Sequence, residues 1–193
     1  MVNGVNEDEF LRMTAEPRRY GWHATLKAPF RLAEGCDLAD VLAGVQSICS
    51  GRAPFALPSL QVTRMGNFLG LRPRHASSAL DALAADCVRQ LQPLAAPLSD
   101  DELARRRRAG LTPEQDALLQ SWGYPWVLNH FRFHLSLTGP LDTVPSEQIQ
   151  SVMHEATRHF YQLPVCVIDS VSVFAEPTEG ADFRLIEQIR FQP

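Results

Sequence analysis

Two short stretches of this chain match each other, and that repetition constrains the fold more than any other feature. The first reads His23-Ala24-Thr25-Leu26-Lys27-Ala28-Pro29-Phe30, the second His134-Leu135-Ser136-Leu137-Thr138-Gly139-Pro140-Leu141. Histidine meets histidine, Thr25 meets Ser136, Leu26 meets Leu137 and Pro29 meets Pro140. Alternating apolar and polar residues closed by a proline predict a strand ending in a turn. In a strand, positions i and i+2 share a face, roughly 6.5–7 Å apart. His23, Thr25 and Lys27 then point one way, while Trp22, Ala24 and Leu26 point to the core. One histidine on such a face is most simply a packing residue. A second copy in a matching context argues for a paired role.

The segments downstream of the two motifs repeat as well. After the first, Asp37 is a good N-cap for a helix over about 38–50, with Leu38, Val41, Leu42, Val45 and Ile48 at helical spacing. Strand patterns over about 54–65 and 68–73 meet at Met65-Gly66-Asn67, which suits a hairpin, and a further helix spans about 76–92. Val127 to Leu137 reads as a strand ahead of and through the second motif. Pro145-Ser146-Glu147 then opens a helix to about Tyr161, with strands after it over about 164–175 and 182–191. Strand, helix and hairpin thus occur twice, an internal duplication. The expected fold is α+β: a single two-lobed domain over 1–193, with repeat one at about 20–96, a helical insert at about 97–129 and repeat two at about 130–193. Two antiparallel sheets should flank a central cleft, each with a motif strand near its middle and helices outside.

The insert carries two capping boxes, Ser99 to Glu102 and Thr112 to Gln115, so two ordered helices are expected. The first ends in Arg105-Arg106-Arg107-Arg108. Four consecutive residues cover every side of a helix, so a solvated face paired with the acids at 100–102 is the simpler reading, and a phosphate patch the sharper one. The insert either narrows one side of the cleft or only covers exposed sheet edge. At the N-terminus, Asn6 caps a short helix that Pro17 should end.

Composition narrows the classes. A net charge of −4 argues against a general affinity for nucleic-acid backbones. The longest apolar runs fall far short of a membrane span, and the polar, acidic N-terminus is unlike a secretory signal. Cys36, Cys49, Cys87 and Cys166 lack paired spacing, so they read as reduced thiols of a cytoplasmic protein. Lys27 is the single lysine, and it lies on the histidine face of the first motif.

If the two repeats pair about a pseudo-twofold axis, His23 and His134 face each other across the cleft. Imidazole ordinarily titrates near pH 6.5, so one ring can take a proton while the other gives one. Thr25 and Ser136 can donate to phosphoryl oxygens, and Lys27 and Arg132 can neutralise charge developing there. Tyr20, beside the first motif, and Trp126, ahead of the second, are candidates for touching a ligand. By parity Phe131 and Phe133 belong to the core, and His130 to the cleft rim or beyond it. His23, His130 and His134 as metal ligands would be an alternative, but no carboxylate sits at ligand spacing in either motif. A binding module holding a phosphorylated ligand or RNA end without turnover is the other alternative.

The two motifs together resemble the two-histidine (2H) phosphoesterase superfamily. The wording Arg19-Tyr20-Gly21-Trp22-His23-Ala24-Thr25-Leu26-Lys27-Ala28-Pro29-Phe30, with His130-Phe131-Arg132-Phe133-His134-Leu135-Ser136-Leu137-Thr138-Gly139, is closest to a branch encoded beside phosphonate-utilisation genes. The resemblance implies a cyclic phosphodiesterase-like fold, His23 and His134 as acid and base, hydroxyl residues on the phosphate, and no cofactor or metal. It implies small phosphorylated substrates, with RNA ends possible but not favoured, in phosphonate or phosphorylated-sugar metabolism. Such proteins usually open with a strand before the first motif. None is visible here, so the resemblance leaves two expectations: a chain shortened at its N-terminus, or another segment at that sheet edge.

Overall fold

The structure, a computed structural model, describes residues 2–193. Helix α1 (Glu7–Met13) starts at Asn6, whose side chain forms a reciprocal box with Glu9, and three acids occupy its first turn. Helix α2 (Ala15–Tyr20) comes directly after it. Pro17 does not end the N-terminal helix as expected: it is buried in the first turn of α2, where a missing N–H costs no helical bond. Helix α3 (Leu38–Cys49) has the Asp37 cap, boxed with Asp40. Strands β1 (Phe55–Ala56), β2 (Leu60–Met65) and β3 (Phe68–Pro73) are next, and Gly66 at φ 62° makes the β2–β3 turn. Then come α4 (Ser78–Leu91), α5 (Asp100–Arg107) and α6 (Pro113–Trp122), the last two opened by the two capping boxes of the insert. The chain closes with β4 (Leu135–Ser136), α7 (Ser146–Phe160), β5 (Val167–Ile168), β6 (Ser170–Ala175) and β7 (Arg184–Arg190).

The fold is α+β, with several small antiparallel sheets in place of two larger ones: β1–β5, β2–β3–β4 and β6–β7. The motif strands are where the expectation fails. Residues 20–30 form no strand: Gly21 at φ 68° and Pro29 bracket them, and the backbone bends at Leu26-Lys27 before it can join a ladder. Trp22 is consequently not a core residue. It is 60% exposed and stacks on Phe160 of α7, with ring centroids 5.7 Å apart. The second motif strand is short and lies at a sheet edge. Leu128–His130 is a 3₁₀ turn with Leu128 at φ 53°, so Val127 to Leu137 cannot run as one strand. Beyond Ser136 a side chain takes over the pairing. The buried Thr138 accepts a bond from the Leu69 amide through Oγ1 at 2.9 Å, while Leu137 N and Thr138 N donate to Leu69 O.

The helices are exchanged between the halves. α3 packs on β6 and β7, whereas α7 packs against β2. β4 is hydrogen-bonded to β3, with Gly70 opposite Ser136, and β1 pairs with β5. Val41, Val45 and Ile48 of α3 therefore share a core with Val171, Val173 and Ile189. Ile149 and Val152 of α7 bury Leu69 in the same way. A third cluster joins Leu71 and Leu80 to Phe133 and Leu135, which places Phe133 inside as its parity requires, with Phe131 packed against it. Each fully buried Leu, Ile or Val contributes about 1.5–3 kcal/mol, so this crossed burial is a main source of cohesion.

Candidate active site

His23, Thr25, His134 and Ser136 all line one open cleft of about 2230 Å³. The two imidazoles are held alike. His23 Nδ1 lies 3.2 Å from the carbonyl of Gly21, and His134 Nδ1 lies 2.8 Å from the carbonyl of Arg132. Each carbonyl belongs to the residue two before the histidine. A carbonyl oxygen only accepts, so both contacts are hydrogen bonds when Nδ1 carries the proton. That tautomer leaves Nε2 of each ring as the nitrogen free for chemistry. His23 Nε2 is 3.3 Å from Thr25 Oγ1, so the hydroxyl can donate to it while no ligand is bound.

Each ring also leans on a phenylalanine of a hairpin. His134 sits 5.3 Å from the Phe68 ring and His23 sits 5.8 Å from Phe174, centroid to centroid. Gly70, opposite Ser136, permits the close approach of β4. A Cβ there would lie 3.1 Å from Leu135 O and 3.7 Å from His134 Cβ. Neither the phenylalanines nor Gly70 stood out in the sequence. The only signal is that Phe68 and Gly70 share one strand face, which matters once β4 is known to lie alongside.

Tyr20 links the two motifs. Its ring meets that of His23 edge-on at 4.9 Å. Burial pushes its phenol up, and the neighbouring Ser136 hydroxyl works in the opposite direction. Arg19, one residue earlier, donates to Glu176 Oε1 and to Ala181 O at 2.9 Å each, clamping the end of α2 to the β6–β7 turn. The N-terminal helices thus lie beside both motifs: Gly139 donates to Met13 O at 2.8 Å and rests on Glu16.

Lys27 lines the cleft, but its ammonium is engaged there. Nζ donates to Gln92 Oε1 at 2.9 Å and lies 5.1 Å over the Phe30 ring, and burial lowers it to about 8. Arg132 and Trp126 are not among the residues lining this cleft. The Arg132 guanidinium stacks 5.8 Å above the Trp126 ring, and both are exposed. Arg132 keeps the outward parity expected of it, alternating with the buried Phe133, but its guanidinium turns to the Trp126 ring and not to the cleft. His130 pairs with Glu114 of α6 at 3.2 Å. Among the described residues, no three His, Cys, Asp or Glu side chains gather as metal ligands. No described helix is long and apolar enough to cross a membrane.

The insert forms part of the cleft wall through Leu103, Arg105, Arg106, Arg108 and Trp122. A second, smaller depression of about 510 Å³ at the end of α7, lined by His154, Arg158 and Tyr161 among others, contains neither motif.

A family model described as a protein of unknown function (DUF1045) matches residues 25–184. A protein of Janthinobacterium sp. (strain Marseille) named ribose 1,5-bisphosphate phosphokinase PhnN is 38% identical over 193 residues, covering 98% of this chain and 43% of that protein. One of the same name from Laribacter hongkongensis (strain HLHK9) is 37% identical over 171 residues, covering 89% of this chain and 39% of that protein. The chain therefore spans about two-fifths of the length of the curated relatives it matches. With most of its length matched by the family model, the chain belongs to the DUF1045 family.

Proposed function

We propose that this chain is a metal-independent phosphoesterase that opens a small cyclic phosphate by general acid–base catalysis between His23 and His134. The observation that carries this reading is the parallel build of the two sites. Each histidine sets Nδ1 against the carbonyl two residues before it, each has a hydroxyl two residues after it, and both line one cleft. One Nε2 takes the proton from attacking water as the new P–O bond forms. The other Nε2–H delivers a proton to the ester oxygen as its bond to phosphorus breaks. Thr25 and Ser136 donate to the non-bridging oxygens, where charge accumulates. Each proton transfer supplies roughly 10²–10⁴-fold.

The ligand we propose is a phosphorylated sugar. The relatives' name, with ribose 1,5-bisphosphate in it, supports that class, and so does the resemblance to proteins encoded beside phosphonate-utilisation genes. The phosphokinase in that name we assign to the part of those proteins that this chain does not span. A phosphate-cradling G-x-x-x-x-G-K-[ST] loop is not found in the 193 residues, and the single lysine is bound to Gln92. The test is incubation with nucleoside 2′,3′-cyclic phosphates and phosphoribosyl cyclic phosphates, read by phosphorus NMR with and without a chelator. Ring opening that persists with chelator is expected. Tight binding of these compounds without turnover would favour a binding module, and activity lost to chelator and restored by zinc or manganese would overturn the metal-free chemistry.

A further inference from the structure

The insert supplies positive charge that the fold does not consume. Arg107 is taken by Asp116, with Nε to Oδ1 at 2.6 Å and Nη2 to Oδ2 at 3.1 Å. Arg105, Arg106 and Arg108 all line the cleft that holds the two histidines. Among the described residues none of these three is in an ion pair. The acids at 100–102 are not their partners, against the simpler sequence reading: Glu102 accepts from the Ser99 amide and from Arg31. Glu176, also on the cleft wall, accepts from Arg19 and from the Gly180 amide. Asp101 and Glu179 are the other acids lining the cleft.

Arg106 is the centre of the group. It is partly buried, its guanidinium lies 5.5 Å from the centroid of the Tyr124 ring, and its Nε is buried without a hydrogen-bond acceptor. A planar guanidinium fixed on an aromatic face keeps its fork of N–H groups ordered, which suits bidentate recognition of phosphate. The cleft also exceeds the roughly 300–1000 Å³ of an ordinary small-molecule site, leaving room for ligand atoms beyond the reacting ring.

We infer that Arg105, Arg106 and Arg108 form a second anion subsite, which holds an additional phosphate of a bisphosphorylated sugar while its other phosphate lies at His23 and His134. The subsite rests on the proposed phosphoesterase reading only for what occupies the histidine end. It selects small doubly phosphorylated ligands over singly phosphorylated ones.

The test compares ribose 1,5-bisphosphate with ribose 5-phosphate by titration calorimetry at fixed salt, beside the cyclic-phosphate assay. The bisphosphate is expected to bind wild type at least about tenfold more tightly, and Arg106→Gln should bring that ratio down about tenfold, toward one. The Arg105→Gln, Arg108→Gln double variant, which alters two exposed side chains, should lower it in the same direction and carries the test if Arg106→Gln does not fold. Arg107→Gln should leave the ratio as in wild type. A preference that depends on these arginines without any cyclic-phosphate turnover would keep the subsite and sink the phosphoesterase. Turnover with a binding ratio that is the same in wild type and in both arginine variants would overturn the subsite.

Discussion

His23 and His134 can serve as proton carriers because the carbonyl beside each Nδ1 favours the tautomer that leaves Nε2 free to take a proton. Substituting either with alanine should cut kcat by about 10²–10⁴-fold while circular dichroism stays as in wild type. Thr25→Ala and Ser136→Ala, which each remove one hydrogen bond and leave the acid and base, should lose about tenfold. The pH–rate profile should be bell-shaped, with its limbs belonging to the pair and not to one ring. Gly70→Ala is a harsher change than its size suggests. The added methyl meets the Leu135 carbonyl at 3.1 Å, and that carbonyl belongs to the strand carrying Ser136. It should lower both stability, by about 1–3 kcal/mol in urea titration, and turnover. Lys27 offers a pH signature. Burial lowers it to about 8 from its ordinary 10.5, so above pH 8 the folded state has released a proton that the unfolded chain still holds. Stability should therefore rise with pH in that interval because of this group. The thiols of Cys49, Cys87 and Cys166 act the other way above pH 9, since burial raises each. The difference in unfolding free energy between wild type and Lys27→Met, measured from pH 8 to 9, should move in favour of wild type as pH rises. A flat difference would show that the ammonium is well solvated.

Helix ends were readable because their signals are local. Asn6, Asp37, Ser99 and Thr112 each accept from the amide three residues on, as their sequence context indicates. The motif strands were not readable, because a strand exists only if a distant segment supplies its ladder. The alternation at His23 to Phe30 is real, yet Gly21 and Pro29 isolate it, and its residue parity misplaced Trp22. Parity alone could not place the Arg132 guanidinium either, because its partner, the Trp126 ring, lies on the far side of the 3₁₀ turn at Leu128–His130. Within α5, Glu102 is held down to about 2, first by the Ser99 amide and then by Arg31. Such a group stabilises the fold above its unfolded value of about 4.5, and that contribution is lost as pH falls toward 2. Glu102→Ala should cost about 1 kcal/mol in urea unfolding at pH 7, and the deficit should shrink as the titration is repeated at lower pH. A deficit independent of pH would mean that packing, not the carboxylate, holds the start of α5.

At the scale of the whole chain, the α+β class was legible from the order of helix and strand signals, while the packing of α3 on β6–β7 and of α7 against β2 was not. Nothing in the periodicity of α3 says that its apolar face will meet β6 and β7 in place of the neighbouring β2–β3 hairpin. The exchange makes the halves interdependent. Residues 1–110 and 111–193, expressed separately, should each give poorly dispersed NMR spectra, and coexpressed they should purify together. A well-dispersed spectrum from 1–110 alone would refute that interdependence. The placement of Trp22 has a consequence of a different kind. Of the three tryptophans, Trp22 and Trp122 line the cleft, one beside the first motif and one at the end of α6. Indole emission shifts toward shorter wavelength when water leaves its surroundings, so the unlabelled protein carries its own optical gauge of cleft occupancy, with one indole on the motif side and one on the insert.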